Sequence, residues 1–236
     1  TRTDFLGSNY VRNIVRSADG TLWFGAADGI YKLGEGRVQR VLERKWIIGL
    51  NADDQGHLWF GHGWAGGGLS SYNPKTGAVD TFTQKDGLPD DSVWAVERGT
   101  GGGVWIGTSG GLAEFRDGKI ENVGEKLGLR TGTVTSLGRD ADGTLWIGGD
   151  AGGRRLRGTN LVSLDSTNGA PFEGVWCSAH TADGITWIGT DQNGLLGYDG
   201  QAMTQIDKRD GLLGNRVFCL RPDRDGFLHI GFVEEG

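Results

Sequence analysis

One phrase recurs six times along this chain, and it confines the fold more than any other feature. It reads Ser17-Ala-Asp-Gly-Thr-Leu-Trp-Phe-Gly25, then Asp54-Gln-Gly-His-Leu-Trp-Phe-Gly61, then Gly102-Gly-Val-Trp-Ile-Gly107. It returns as Asp140-Ala-Asp-Gly-Thr-Leu-Trp-Ile-Gly148, as Thr181-Ala-Asp-Gly-Ile-Thr-Trp-Ile-Gly189 and as Asp223-Arg-Asp-Gly-Phe-Leu-His-Ile-Gly231. Its aromatic slot is Trp23, Trp59, Trp105, Trp146, Trp187 and His229, at steps of 36, 46, 41, 41 and 42 residues. A period near forty residues built of short strands indicates propeller blades of four strands each.

Each unit parses the same way. An apolar stretch such as Val93-Trp-Ala-Val96 or Val217-Phe-Cys-Leu220 is the first strand. Asp-Gly then supplies a hairpin turn, because both residues tolerate positive φ. Leu-Trp-Ile-Gly is a second strand, too short and too rich in aromatic and β-branched residues for a helix. A Gly-rich loop, a third strand (Leu112-Ala-Glu-Phe115), an Asp117-Gly118 turn and a fourth strand complete the blade. The third position of every first strand is small: Asn13, Gly49, Ala95, Ser136, Cys177 and Cys219. First strands that converge on a propeller axis require this, since bulky side chains would collide there. The six aromatics are expected between blades, and the repeated Asp19, Asp142, Asp183 and Asp225 in turns.

The fold expected is therefore all-β, a β-propeller of four-stranded antiparallel blades with five full repeats plus a partial sixth. Residues 1–236 form a single propeller domain or a fragment of one. The repeat units run 11–46, 47–92, 93–133, 134–174, 175–216 and, in part, 217–236. Residues 1–10 match the linker that precedes a first strand. Six inner strand pairs against five outer pairs leave an edge to be closed, which favours a fragment of a longer array over a ring completed by another copy.

Composition limits the function classes. The 24 Lys and Arg against 30 Asp and Glu give a net charge of −6, opposite to the positive field that nucleic-acid binding needs. No apolar run approaches the roughly 20 residues that span a bilayer. No signal-peptide core follows Thr1, so any targeting segment has been removed or lies outside this chain. Cys177 and Cys219 are the two cysteines; they are equivalents in successive blades, read as small buried thiols and not as a disulfide framework.

Asp-x-x-Gly-x-Leu-Trp-Ile-Gly-Thr with a following Gly-Leu and a later Gly-Leu-Pro-x-x-x-Val resembles the two-component regulator propeller repeat. The pattern is clearest at Asp86-Gly-Leu-Pro-Asp-Asp-Ser-Val93 and Gly103-Val-Trp-Ile-Gly-Thr-Ser-Gly-Gly-Leu112. The resemblance implies the periplasmic or extracellular sensor region of a membrane-bound histidine kinase or hybrid regulator, with kinase and membrane parts elsewhere and carbohydrates among the ligands. Two units depart from the pattern: the second carries the longer loop Gly61-His-Gly-Trp-Ala-Gly-Gly-Gly68, and the fourth has Gly153-Arg-Arg-Leu156 in place of Gly-Leu.

Loops carry specificity on a rigid scaffold. Those after second strands and those between blades emerge at one end of a propeller. There the sequence places Trp46, His62, Trp64, Arg130, Asp150, Arg154, Arg155, Asp191 and Arg216 as candidate ligand contacts, with Asp90, Asp91, Phe172, Gln192, Asn193 and Asn215 nearby. Trp64 stands out, because an indole in a Gly-rich loop lacks neighbours to bury it and could stack on a sugar. Arg154, Arg155 and Arg157 form the one basic cluster, suited to an anion or simply solvated.

No His-x-x-His, His-Glu-x-x-His or Cys-x-x-Cys spacing points to zinc, the Gly strings lack the Lys of a phosphate loop, and Gly-x-Ser-x-Gly is absent. The reading is a binding module without catalytic residues or cofactor, for a small molecule, a carbohydrate among them, or an adjacent protein domain. One alternative is a metal-dependent lyase or lactonase-like hydrolase, in which His62 would meet Asp150 or Asp191. The other is a structural module for homodimerisation.

Overall fold

A computed structural model describes residues 10–34, 36–129, 132–140, 142–164 and 174–233. The chain divides into two compact units, Thr1–Val123 and Gly124–Gly236. The first unit holds three blades. They are β1 (Val11–Arg16), β2 (Leu22–Ala26), β3 (Gly29–Gly34) and β4 (Arg37–Glu43); β5 (Leu50–Ala52), β6 (Leu58–Gly61), β7 (Leu69–Tyr72) and β8 (Val79–Phe82); and β9 (Val93–Arg98), β10 (Val104–Thr108), β11 (Gly111–Arg116) and β12 (Lys119–Asn122). The second unit holds β13 (Val134–Arg139), β14 (Leu145–Gly149), β15 (Gly152–Arg157) and β16 (Asn160–Leu164); β17 (Val175–His180), β18 (Thr186–Thr190), β19 (Leu195–Tyr198) and β20 (Met203–Ile206); and β21 (Val217–Pro222) with β22 (Leu228–Phe232). Every sheet is a meander of sequential antiparallel strands, five of four strands and one of two. These are propeller blades, as the repeat predicts. Among the described residues no helix is long and apolar enough to cross a membrane.

The repeated phrase has a packing reason at each position. Trp23 is buried with Ile47, Leu50, Phe60 and Tyr72 of the next blade. Trp59 lies 4.6 Å from the Phe115 ring of the next blade, and Trp146 lies 6.0 Å from Tyr198. Trp105 and Trp187 are partly buried. His229 differs: its side chain is 66% exposed and holds Asp223 at 2.9 Å. The glycine that ends the phrase seats the first strand of the following blade. A Cβ on Gly61 would stand 2.5 Å from Val93 Cγ1, and one on Gly189 would stand 2.7 Å from Val217 Cγ1. The small slot faces this glycine across the ladder, Asn13 opposite Gly25, Ser136 opposite Gly148 and Cys177 opposite Gly189. The turn aspartates knit their hairpins as expected: Asp19 Oδ1 accepts from the Ser17 hydroxyl at 2.6 Å and the Thr21 amide at 3.0 Å.

Linkers between blades are stiffened as well. Thr83 and Asp86 form a reciprocal capping box on a single 3-10 turn, as do Asp207 and Asp210. The Gly of Asp-Gly-Leu follows each turn at φ 110° (Gly87) and 104° (Gly211), a conformation that favours glycine. Asp91 Oδ1 and Asn215 Oδ1 accept the first amide of their turns, Gln84 at 2.7 Å and Lys208 at 3.0 Å. These two loop residues are pinned to their own linkers.

Candidate functional site

Each first strand with a full ladder breaks register near its start, between Val11 and Asn13, Val134 and Ser136, Val175 and Cys177, and Val217 and Cys219, with the same shift opposite Gly107 and Thr108 for β9. A β-bulge opposes two residues to one and re-aims the extra side chain. The extra residues are Arg12, Trp94, Thr135, Trp176 and Phe218. Three of the five are aromatic, a concentration that points to a surface for contact.

In the first unit this end carries an aromatic group. Trp64 is 68% exposed on a short 3-10 turn, Gly63–Ala65. Its ring meets Trp94 edge-on, centroids 4.8 Å apart, and the Arg12 guanidinium lies over it at 5.6 Å. The Trp94 indole donates to Ser109 Oγ at 2.8 Å. Three blades thus meet at one indole whose outer face stays open. Trp46, also exposed, adopts φ 58° and is held by its amide on the Ala27 carbonyl at 2.9 Å.

The second unit has a counterpart. Trp176 and Phe218 lie 5.2 Å apart, and Asp191 Oδ1 accepts from the Trp176 indole at 3.2 Å and from Arg216 Nε at 3.0 Å. Asp191 and Arg216 also line a cavity of about 1270 Å³ with Gln192, Lys208, Asn215 and Phe232. Of the residues expected at the loop end, Asp191 and Arg216 are therefore brought together, while Asp150 is exposed in the turn after β14.

Other expected residues stand elsewhere. His62 is 7% exposed, with Nδ1 3.3 Å from the Lys45 carbonyl and Nε2 3.1 Å from Ser70 Oγ. Burial pushes its pKa below the usual imidazole value, and Arg44 adds to that against the pull of Lys45. Arg154 and Arg155 belong to β15 and not to the loop before it, opposite Ile147 and Trp146. Arg154 is buried and donates to the Ala151 carbonyl at 2.9 Å. Arg155 points the other way and lies over the Tyr198 ring at 5.1 Å. Arg157 is an exposed partner of Asp142 at 3.8 Å. The basic cluster of the sequence is therefore three separate strand residues. Arg130 and Phe172 lie outside the described residues, as do residues 1–9. Among the described residues no three His, Cys, Asp or Glu side chains gather as metal ligands. The bulge aromatics were missed, although Val-x-small with x aromatic is visible at Val93-Trp-Ala, Val175-Trp-Cys and Val217-Phe-Cys.

A family model described as two component regulator propeller matches residues 6–28 and 128–151, each spanning a linker or first strand and the hairpin or second strand of a blade. Those two stretches match the two-component regulator propeller repeat. No curated protein sequence matches it. Among solved structures, this chain resembles the extracellular domain of a hybrid two component system from B. thetaiotaomicron (18% identity, TM-score 0.67, 97% of this chain, 38% of that one). It also resembles PorZ, a surface component of the type-IX secretion system of Porphyromonas gingivalis (16%, TM-score 0.71, 96% and 39%). A catalytically inactive virginiamycin B lyase from Staphylococcus aureus is similar at 15% identity and TM-score 0.71, covering 94% of this chain and 83% of the lyase. At such identities the likeness is one of fold. This chain spans little more than a third of the length of the first two neighbours.

Proposed function

We propose that this chain is the ligand- or partner-binding propeller of an extracytoplasmic two-component sensor, and that its bulge end takes a carbohydrate-type ligand. One observation carries the reading: Trp64 keeps two-thirds of its surface in water while Trp94 and Arg12 fix its orientation. Holding a large apolar ring open to solvent has no folding benefit. A pre-oriented indole beside a guanidinium offers a sugar a stacking face and planar hydrogen bonds at low ordering cost. The Trp176–Phe218 pair beside Asp191 and Arg216 supports the same reading with the same chemistry. The extracellular setting of the B. thetaiotaomicron neighbour supports a location outside the cytoplasm.

Thermal melting against a panel of oligosaccharides and divalent cations tests the proposal, since a ligand of the native state raises the melting temperature. A sugar-dependent rise that Trp64→Ala removes supports it; no rise with any oligosaccharide overturns the carbohydrate part. The likeness to virginiamycin B lyase supports a second reading, a metal-dependent lyase or lactonase-like hydrolase. It requires His62 to release Ser70 or Lys45 and take a ligand. Turnover of a lactone or cyclic depsipeptide that EDTA abolishes would establish it.

A further inference from the structure

The face of the first blade that turns away from Trp23 carries an apolar row whose equivalents are buried in the next two blades. Ile14 stands opposite Phe24 across the ladder, and Leu22 opposite Leu33, so all four share one face. At the same register the second blade has Leu50 opposite Phe60 and Leu58 opposite Tyr72. Those four are buried in one cluster with Trp23 of the blade before. In the third blade, Val96 opposite Ile106 and Val104 opposite Phe115 pack in the cluster that holds Trp59. In the first blade Ile14 is 62% exposed and Leu33 37%. An apolar row of this kind left open to water marks a contact surface.

The chain's own repeats define what fits there. The last residue of each first strand stands at one corner of this face, beside the row. In the third blade it is Arg98, which holds Asp54 in the first hairpin of the preceding blade at 2.8 Å. In the fifth it is His180, 3.4 Å from Asp140 in the first hairpin of the blade before. In the first blade it is Arg16, opposite Leu22 and exposed. Residues 11–46 hold seven Lys and Arg against four Asp and Glu, in a chain whose net charge is −6. The face therefore calls for an indole over Ile14 and Leu33 and a carboxylate against Arg16, an apolar centre with a complementary charge at its rim. The last sheet of a second copy is a poor match. Its slot holds His229, which already binds Asp223 at 2.9 Å, and Arg224 stands where the second blade has Asp54, setting a like charge against Arg16. We infer that this face docks a further propeller blade, from outside these 236 residues, which brings a tryptophan in its slot and a carboxylate in its first hairpin.

The test uses protein labelled at its isoleucine methyl groups, with Ile14→Val identifying the Ile14 signal, and unlabelled copies of the chain as probes. Every probe carries Ile14→Asp and Arg16→Glu, which remove its own copy of the face. The first probe adds His229→Trp and Arg224→Asp, the second His229→Trp alone, and the third neither. All the substituted side chains are exposed, and melting curves verify that each probe is folded. The expected result is a saturable shift of the Ile14 signal with the first probe, about tenfold weaker binding of the second and no shift with the third. Arg16→Glu in the labelled protein should reverse the order, so that the second probe, which keeps Arg224, binds about tenfold more tightly than the first. No shift with the first probe, or an order that Arg16→Glu leaves unchanged, overturns the inference. An equal shift with all three probes also overturns it, and makes a second copy the occupant. Trp64→Ala in the labelled protein should change none of these results, which separates this face from the loop end.

Discussion

Trp59 donates its indole N–H to Asp53 Oδ2 at 2.9 Å, reaching from a second strand back into the hairpin that precedes it. Both residues are buried, and the other carboxylate oxygen accepts the amides of Gln55 and His57, each at 2.9 Å. One side chain thus closes the turn and orients the aromatic that packs on the next blade. Asp53→Ala orphans the two amides and the indole, removes the 3.2 Å contact with His57 Nδ1, and should cost about 2–3 kcal/mol of unfolding free energy. Asp140→Ala, at the equivalent place where the indole lies outside ordinary hydrogen-bond geometry, should cost less, about 1 kcal/mol. Urea titration of both variants gives the comparison; equal losses would remove the role assigned to the Asp53–Trp59 bond.

The glycine that ends each phrase should tolerate a methyl group in proportion to the room beside it. A Cβ on Gly61 meets Val93 Cγ1 and the Val93 carbonyl oxygen, both at 2.5 Å, whereas one on Gly25 meets the Ile47 Cγ2 methyl at 2.9 Å. A methyl can turn aside more easily than a backbone carbonyl. Gly61→Ala should therefore destabilise by about 2–3 kcal/mol, at the upper end for overpacking, and Gly25→Ala by about 1 kcal/mol. Denaturant midpoints measure both, and the reverse ranking would show that the blades are not seated through these contacts.

What could be seen in the sequence follows the same physics. The Asp-Gly turn, the Trp slot and the terminal glycine repeat because each meets the same neighbour in every blade, so the blades were legible from one chain. The bulges were not, because strict alternation places Trp94, Trp176 and Phe218 on a face of the strand, and only the register shift reveals an extra residue. Arg154 and Arg155 read as loop residues since Gly152 and Gly153 carry no side chain to mark the start of β15. His62 read as a ligand contact of the loop end, yet it is buried, and the missing Cβ of Gly67 is what admits its ring: a methyl there would lie 2.8 Å from His62 Cγ.

The two cysteines should react at very different rates. Burial, with a smaller contribution from Cys219, pushes the Cys177 thiol up to about 12, so almost no thiolate exists near neutrality. Cys219 is exposed. Native protein at pH 8 should consume about one equivalent of a disulfide thiol reagent quickly, and Cys219→Ser should abolish that phase. A second equivalent should appear only on unfolding. Fast labelling in Cys219→Ser would show that β17, the first strand of its blade, opens in the native state.

His62 should leave a signature in the pH dependence of stability. Its folded pKa lies below the usual 6.5 because burial disfavours the imidazolium. The unfolded chain therefore binds the proton first as pH falls, and the stabilisation present above about 6.5 is lost as pH drops towards the folded value. Asp140 acts in the opposite sense: burial raises its pKa, so its ionisation costs stability as pH rises from about 3.8 towards the folded value. His62→Gln, which can still reach Ser70, should flatten the wild-type decline in melting temperature below pH 6.5 while leaving the acidic limb set by the carboxylates. If wild type and His62→Gln fall in parallel between pH 7 and 5, the imidazole is not held neutral in the Ser70 and Lys45 pocket, and His62 regains its place as a candidate ligand-binding or metal-binding group at the loop end.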